Sequence, residues 1–410
     1  MARRAQMRIR RGTETVESHL DPDAPPRPGF IRRHRVLTVV TVPLVVILSW
    51  ATVSYTVWML RPTSTSFFAR SVEWVRTDLP FGNSLVDKIE QLQADWNAPK
   101  KGGPQLATLP TVGTANLPSD HHLASADWPL PITTVFPRPL PNEGIWRGTG
   151  PMVRGRHPVL VTAFRTERDF PRIVAYVAWI DHTRTALAYY PGRYEPPHAA
   201  VRGPMMVPND QRPRLLATFN AGFIYADGLN GSSDNGLINE PLKDGNATLV
   251  GYRDGRVDIV DWTGGPNPGP DVAWTRQSLA PIVMNGRVNP ALNADPNSPQ
   301  WGYTLGGVTR VWRTAIGVDA RGNLLYVAAP DQTVITLADI MKHIGAVRAM
   351  EFDINPYWHS FITYSHRHGL DPTQLGDNPN QPDTRYLVPD DRDFFAVYSR
   401  ESGAVTVPFN

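Results

Sequence analysis

Cysteine is missing from all 410 residues of the chain. Disulfide bonds, thiolate metal sites and cysteine nucleophiles are therefore excluded. The absence does not decide where the protein resides, because an exported domain without disulfides can be held together by its apolar core.

The residues beyond the first 35 carry no excess of charge of either sign. Residues 1–35 carry nine arginines against four acidic residues, and the other 375 residues hold 32 basic and 34 acidic side chains. The basic pI of about 9.1 therefore comes from the N-terminal tail. We predict no nucleic-acid partner, because that would require a basic face on the folded part of the chain.

Several catalytic motifs are also absent. The sequence has no Walker loop, no dinucleotide fingerprint and no Ser-His-Asp order, and the GGPNPG run at residues 264–269 is interrupted by proline. Proline itself is abundant, with 40 residues, whereas its usual share is about 5%. This excess favours loops, linkers and β-structure over long helices.

One long apolar run stands out. Val36 to Leu60 is a stretch of 25 residues without a charge, and a helix of that length spans about 37 Å, enough for a hydrocarbon core of about 30 Å. A cleaved signal peptide is the alternative, but its apolar region is usually only about 7–15 residues long. Arginines directly precede the run, so the positive-inside rule predicts a single-pass protein of the cell membrane with a cytoplasmic N-terminus.

The composition predicts five segments. They are a cytoplasmic arginine-rich tail (1–35), a transmembrane helix (36–60), amphipathic juxtamembrane helices (61–98), a proline-rich linker (99–144) and an extracytoplasmic domain (145–410). The juxtamembrane helices are predicted from apolar residues at helical spacing, Phe68, Val72 and Val75 and then Leu85, Ile89, Leu92 and Trp96. Packing of these helices on each other or on the domain is favoured over a separate partner site.

Short β-type runs separated by turn residues dominate residues 145–410. Asn285-Gly286, for example, is typical of a tight hairpin turn. One helix is predicted to begin at a Thr336 cap, with its apolar stripe at Leu337, Ile340, Met341 and Ile344. We therefore predict an α+β fold with a mixed or largely antiparallel sheet and few helices.

Four stretches of the domain together resemble the phosphodiester glycosidase family. They are LATFNAGFI (216–224), QSLAPIVMNGRV (277–288), RTAIGVDARGNLLYVAA (313–329) and GAVRAMEFD (345–353). Members of this family remove N-acetylglucosamine from a phosphodiester, and the similarity extends over about residues 155 to 400. The resemblance implies a hydrolase of a glycosyl phosphodiester or of a related envelope glycoside.

Arg313, Glu351 and Asp353 are the candidate catalytic residues. Glu351 and Asp353 are two positions apart on a predicted strand, so their side chains should project to the same side. Two neighbouring carboxyls raise one pKa, as general acid catalysis requires, and glycosidases commonly use such a pair. Arg313 should share a face with the small Ala315 and Gly317, which leaves room to bind a phosphate. The alternative is that these charges form structural salt bridges.

The family motif Asn-Gly-Gly-Phe-Phe resembles Asn220-Ala221-Gly222-Phe223-Ile224. The resemblance implies that Asn220, Gly222 and Phe223 contact the substrate. The Asn220 amide can hold a sugar hydroxyl or a phosphate oxygen, or it can instead stabilise its own turn.

Thr314, Asn355 and His359 complete the candidate substrate-binding set, because they lie beside Arg313 and Asp353 in the sequence. The family's strand-end Asp, matched by Asp353, is followed by glycines, whereas this chain has Ile354-Asn355-Pro356. The change removes flexible backbone that could approach a phosphate closely. His359 is a candidate acid or base, with a structural role as the alternative.

We predict no cofactor and no metal ligand. The spacing of acids in the glycine-rich loop 228–246 fits no EF-hand-like site, although Asp234 and Glu240 there could bind a divalent cation such as Ca²⁺. An ordinary surface loop is the alternative. The expected partners are a glycosyl phosphodiester or cell-envelope glycan, and the lipid bilayer through residues 36–60.

Two functions remain open from the sequence. The first is a membrane-anchored extracytoplasmic hydrolase, and the second is a non-catalytic glycan-binding or cell-envelope scaffold protein that retains the fold. An enzyme should bring Arg313, Glu351 and Asp353 around one pocket, whereas a scaffold should show these charges paired with one another.

Overall fold

The computed structural model describes residues 35–112, 128–225, 230–296, 298–302 and 310–400. The arginine-rich tail, apart from Arg35, lies outside the described residues, as do residues 113–127 of the predicted linker and the first two residues of the glycine-rich loop. The described helices are α1 (Arg35–Leu60), α2 (Phe67–Asp78), α3 (Gly82–Asn97), α4 (Ala291–Ala294) and α5 (Val334–His343).

Helix α1 is the long apolar helix expected from the sequence. Its stretch Val39–Leu60, 22 residues long, is apolar enough to cross a membrane, and none of its most apolar part is buried against the rest of the protein. Pro43 lies inside the helix, beyond its first turn, where a proline removes one backbone hydrogen bond of the helix. The orientation of α1 and its insertion in a bilayer stay predictions.

Eighteen strands are described, and all their pairings are antiparallel. The first nine are β1 (Arg147–Thr149), β2 (Val159–Glu167), β3 (Phe170–Ile180), β4 (Thr185–Tyr190), β5 (Leu215–Asn220), β6 (Ser232–Asp234), β7 (Leu237–Glu240), β8 (Ala247–Tyr252) and β9 (Val257–Asp261). The other nine are β10 (Val272–Ser278), β11 (Val283–Met284), β12 (Arg287–Val288), β13 (Val311–Asp319), β14 (Leu324–Gln332), β15 (Ala346–Asp353), β16 (Phe361–Ser365), β17 (Asp371–Gln374) and β18 (Phe394–Ser399).

The strands form three sheets. An eight-stranded sheet has the order β1-β2-β3-β14-β13-β15-β11-β12, and two five-stranded sheets have the orders β7-β6-β10-β8-β9 and β17-β16-β5-β18-β4. The predicted Asn285-Gly286 turn joins β11 to β12, and both turn residues have positive φ, 49° and 71°. The α+β fold with largely antiparallel sheets and few helices is confirmed.

The eight-stranded sheet is covered on both faces. Ile316 on one face shares a hydrophobic cluster with Leu249 and Phe219 of the two smaller sheets. Ala315, its neighbour in β13, packs in a second cluster with Leu337 and Met341 of α5. The predicted alternation along β13 is therefore correct, but neither of its faces is open to solvent.

Helix α5 begins one turn earlier than expected. Its N-cap is Thr333 rather than Thr336, and the Thr336 side chain accepts a hydrogen bond from the Thr333 N–H in a reciprocal capping box. Threonine at the third helical position can take the part usually played by glutamate, because its hydroxyl reaches back to the cap.

The described parts of the predicted linker 99–144 have no helix or strand, but they pack on the domain. Glu143 and Arg165 form an ion pair that is 0% exposed on both sides, at 2.7 Å. Ile132 is buried in the same cluster as α5, and Leu106 and Leu109 pack against the cluster between the sheets. Apolar residues dispersed among the prolines thus attach this segment to the sheets.

Candidate active site

Arg313 and Glu351 form a closed ion pair. The Arg313 Nη1 donates to Glu351 Oε1 over 2.7 Å, its Nε donates to the Gln332 carbonyl over 2.7 Å, and each side chain is 1% exposed. Burial raises the pKa of Glu351, although the Arg313 guanidinium opposes that rise. The structure thus corrects the expected placement of both residues beside a pocket shared with Asp353.

Helix α5 is the reason that no cleft forms beside Arg313. The small residues that were expected to leave room for a phosphate are in contact with this helix instead. A Cβ added to Gly317 would lie 2.6 Å from the Met341 methyl carbon, and Ala315 is fully buried in the same cluster. The apolar stripe of α5 therefore fills the space above Gly317.

Asp353 belongs to a different group of charges. Thr314 of β13 is opposite Asp353 while Ala315 is opposite Glu351, so Phe352 is an extra residue in β15. Such a bulge redirects the side chains that follow it. Burial raises the pKa of Asp353 to about 7, and the strongest opposing influence is the Arg392 guanidinium rather than Arg313.

Asn220 holds strand ends together and has no free hydrogen-bonding atom. Its Oδ1 accepts from the Tyr326 hydroxyl at 2.7 Å and from the Ser360 N–H at 3.1 Å. Its Nδ2 donates to the Ala221 carbonyl at 2.9 Å and to Thr314 Oγ1 at 3.2 Å. Thr314 Oγ1 in turn accepts from the Asp353 N–H at 3.0 Å. Asn220 and Thr314 therefore position the end of β15.

Gly222 and Phe223 follow β5 and are also packed. A Cβ on Gly222 would lie 3.3 Å from the Ser278 side chain, so a larger residue would require that neighbour to move. The Phe223 carbonyl accepts a hydrogen bond from Arg276 Nη2 at 2.6 Å. Both residues therefore contribute to the packing below the site.

Asn355 and His359 lie in the segment after Asp353. Asn355 Oδ1 accepts from the Tyr357 N–H at 2.8 Å, which closes a turn where the family has glycines. The His359 ring stacks on Trp312 with the centroids 3.9 Å apart. Burial lowers the pKa of His359 to about 4, even though backbone groups of nearby residues oppose the change, so the imidazole is neutral at physiological pH.

An open cavity of about 500 Å³ lies next to Asp353's charge partner Arg392. Its lining comes from the domain through Tyr194, Glu195, Trp358 and Arg392, and from residues 58–83 through side chains that include Glu73 of α2. The strand register explains how the domain residues meet. Tyr190, the last residue of β4, pairs with Phe394, the first of β18, so the segments containing Glu195 and Arg392 emerge at the same sheet edge.

Arg392 is the centre of this cavity's electrostatics. Its guanidinium stacks on Trp358 at 4.5 Å from the ring centroid, and its Nη2 donates to Glu73 Oε1 at 3.3 Å. Although burial opposes the change, the carboxylates of Glu73, Glu195 and Asp353 raise the pKa of Arg392. Three acids from separate segments thus act electrostatically on one guanidinium.

Glu195 resembles Asp353 in its ionisation. Burial raises the pKa of Glu195 to about 7, against the lowering influence of Arg392. Its Oε2 accepts from the Tyr225 N–H at 3.1 Å. Each of these two carboxyls can therefore hold or release a proton near neutral pH, as acid–base catalysis at a glycosidic bond requires.

Glu195 and Arg392 were not found from the sequence. The available signals were the Asp390-Asp391-Arg392-Asp393 run directly before a β-type segment and an acid in the proline-rich stretch after β4. Either pattern is typical of surface loops. Only the pairing of β4 with β18 shows that the segments containing Glu195 and Arg392 meet.

The residues proposed for a divalent cation lie on the paired strands β6 and β7 and have different surroundings. Burial raises the pKa of Asp234 to about 6, and Glu240 Oε1 lies 2.5 Å from His198 Nδ1. Within the described part of the chain, no three His, Asp or Glu side chains are grouped as a metal site would require.

Comparison with known proteins supports the resemblance found in the sequence. The family model described as phosphodiester glycosidase matches residues 197–353, and no curated protein matches the chain. Among solved structures, the zebrafish N-acetylglucosamine-1-phosphodiester alpha-N-acetylglucosaminidase catalytic domain, auto-inhibited by its pro-peptide, is similar at 14% identity and a TM-score of 0.41, covering 62% of this chain and 88% of that one.

A hypothetical protein from Synechocystis is similar at 11% identity and a TM-score of 0.35, over 61% of this chain and 64% of that one. The family match includes all four stretches that carry the resemblance, and it agrees with the expected enzyme class, a glycosidase that acts on phosphodiesters. The similarity to the phosphodiester glycosidase family is therefore carried by residues 197–353 of this chain.

Proposed function

We propose that the protein hydrolyses the glycosidic bond of a glycosyl phosphodiester in the cavity around Arg392. The observation that carries this proposal is that Arg392 and Glu195 line an open cavity of about 500 Å³, and that the Arg392 guanidinium acts on the carboxyls of both Glu195 and Asp353, each with a pKa raised to about 7 by burial. Arg392 binds the phosphate, and the two carboxyls supply the acid, base or nucleophile.

The chemistry follows from the leaving group. A phosphate monoester leaves as a stable anion, so the negative charge that develops on it can be stabilised by Arg392 without full protonation. The ionised member of the Glu195 and Asp353 pair attacks the anomeric carbon or deprotonates water, and the protonated member donates a hydrogen bond. Glu73 now accepts a hydrogen bond from Arg392, and the substrate phosphate takes its place.

The location of the activity is part of the proposal. Helix α1 is long and apolar enough to span a bilayer, and arginines precede it in the sequence. By the positive-inside rule the cavity lies outside the cytoplasm, where the substrates are envelope glycans and their precursors.

Turnover by the full chain in detergent tests this proposal. The substrates are glycosyl phosphodiesters that share one short-chain alcohol and differ in the sugar, and released sugar is measured. Asp353→Asn and Glu195→Gln should each lower kcat at least 100-fold, since a positioned acid or base contributes about 10²–10⁴-fold. Asp169→Asn, at a side chain that is 65% exposed, is the matched control. Unchanged turnover in Asp353→Asn and Glu195→Gln would remove both residues from the mechanism.

A second function is favoured by the pairing of charges. Arg313 is paired with Glu351, and Arg392 with Glu73, as a non-catalytic glycan-binding or scaffold protein would show. In that case the same panel should give saturable binding, lost in Arg392→Ala, with no released sugar from any member.

A further inference from the structure

Helix α3 carries an apolar stripe that nothing in the described part of the chain covers. Phe81 precedes the helix, and the stripe continues along one face through Leu85, Ile89, Leu92 and Trp96. These five side chains are between 52% and 89% exposed. Soluble proteins rarely expose such a continuous apolar row unless it meets a partner or a membrane.

The packing of α3 explains why the stripe faces outward. Its contact with α2 is made by Gly82, where an added Cβ would lie 1.7 Å from the Val75 carbonyl oxygen. Glu90 binds Arg76 of α2 at 3.0 Å, and Val86 is buried. The helix therefore presents a largely polar side and small residues to the protein, and its large apolar residues to the surroundings.

The chain's own connectivity indicates what covers the stripe. Only residues 61–66 separate the end of the apolar helix α1 at Leu60 from the start of α2 at Phe67, and six residues reach at most about 21 Å. This connection is held on the domain, with Ser64 Oγ donating to Asp390 and the Ser66 N–H donating to the Asn380 carbonyl. The α2–α3 pair thus begins close to the outer end of a helix that can span a bilayer.

We propose that α3 lies at the extracytoplasmic surface of the bilayer that α1 spans, with its stripe among the lipids, and that the substrate of the Arg392 cavity is a lipid-linked glycosyl phosphodiester. Phe and Trp flanking a polar face are typical of interfacial helices. Trp58, in the last turn of α1, and Glu73 of α2 both line the cavity, so docking of α3 brings the cavity to the membrane surface.

The substrate class rests on the proposed hydrolysis. In the proposed substrate, a phosphate joins the anomeric oxygen of a sugar to a long-chain alcohol. Water adds across the bond between the anomeric carbon and that oxygen, the sugar is released, and the phosphate monoester of the lipid remains in the bilayer. A soluble aglycone would not require a cavity lined by the last turn of a membrane-spanning helix.

The docking of α3 is tested by spin labelling in vesicles of phosphatidylcholine and phosphatidylglycerol. Because the chain has no cysteine, Leu92→Cys introduces a unique label site on the stripe. Asp87→Cys is the matched control, because its side chain is 47% exposed and lies about 140° around the helix from Leu92. The label at 92 should be accessible to oxygen and protected from a water-soluble nickel complex, and the label at 87 should show the reverse. Equal nickel accessibility at both positions overturns docking, and spin–spin broadening that grows with protein density shows that a second copy covers the stripe instead.

The substrate class is tested with two phosphodiesters of the same sugar, one with a long polyprenyl chain in the vesicles and one with a short soluble alcohol. The full chain should hydrolyse the lipid-linked compound at least tenfold faster at equal bulk concentration. The double variant Leu92→Glu, Trp96→Glu should lose that preference and keep its rate on the soluble compound. Equal rates on both compounds overturn the lipid-linked substrate and leave the hydrolase intact. If neither compound is hydrolysed in a way that depends on Asp353, the proposed hydrolase and the substrate class are both overturned. The spin labels then still decide whether α3 docks on the membrane.

Discussion

Replacing Glu351 distinguishes a structural ion pair from a catalytic acid. Glu351→Ala leaves the Arg313 guanidinium, which is 1% exposed, without its carboxylate partner at 2.7 Å. Removing one partner of a buried pair costs about 3–5 kcal/mol, because the remaining charge is desolvated and uncompensated. For a domain of this size each kcal/mol lowers Tm by roughly 2–4 °C, so the expected decrease is about 6–20 °C.

Two further variants show the origin of that loss. Glu351→Gln keeps the shape and one acceptor for Arg313, so it should be less destabilising than Glu351→Ala. The double variant Arg313→Met, Glu351→Leu replaces the pair with apolar side chains of similar volume beside α5, and it should recover most of the lost stability. A double variant no more stable than Glu351→Ala would show that the loss comes from packing and not from an unpaired charge.

The assay is thermal unfolding of the full chain in detergent, followed by near-ultraviolet circular dichroism, together with sugar release at a temperature where each variant is folded. A wild-type Tm in Glu351→Ala would refute the structural role. The structural role would also be refuted if Glu351→Gln had wild-type stability but turnover lowered more than 100-fold, because that result would indicate a catalytic role for Glu351.

Three more outcomes are expected. Burial raises the pKa of Asp353 from 3.8 to about 7, so the folded chain holds this proton more tightly than the unfolded chain. The free energy of unfolding should therefore fall by roughly 3 kcal/mol between pH 4 and pH 7, and urea titrations should show that Asp353→Asn removes this part of the pH dependence. Glu73→Gln should lower KM with little change in kcat, because a neutral amide competes less with phosphate for Arg392, and a KM that is unchanged or higher contradicts the assigned phosphate site. Gly82→Val should separate α3 from α2, since even a Cβ would meet the Val75 carbonyl oxygen at 1.7 Å; limited proteolysis should then cut near residues 79–82 while the sheets remain intact, and wild-type resistance would argue against the tight contact.

The strands were the most predictable part of the fold because each carries its own local signal. Val159–Phe164 and Leu215–Asn220 are runs of β-branched, aromatic and other apolar residues, and both are strands. Strand β10 was missed because its VAWTRQS sequence carries Arg276 and Gln277, which read as exposed polar residues. Both are buried and hydrogen-bonded inside the protein, Arg276 to Asp393 at 2.6 Å. A buried polar residue is recognisable only together with its distant partner.

The site was less predictable than the fold for a related reason. The period-two argument for Glu351 and Asp353 requires a regular strand, and the extra residue Phe352 interrupts the register between them. Which face of a strand is open also depends on the helix packed above it, and the sequence does not state where that helix lies. Asp353 was identified because a strand-end acid has a local signature, whereas Glu195 and Arg392 are defined by pairings across roughly 200 residues of chain.

The charged run before β18 shows how such a long-range site can be selective. Its three acids each have an arginine of their own: Asp390 binds Arg385 at 2.8 Å, Asp391 binds Arg193 at 2.6 Å and Asp393 binds Arg276 at 2.6 Å. Arg392, in the middle of the run, is therefore not neutralised by its neighbours in sequence. Its charge acts instead on the carboxyls of Glu73, Glu195 and Asp353. Since those three come from separate segments, the position of one guanidinium couples the end of β15, the loop after β4 and the helix that follows the apolar span. An anion that replaces Glu73 on Arg392 thus binds at the one described place where all three segments meet.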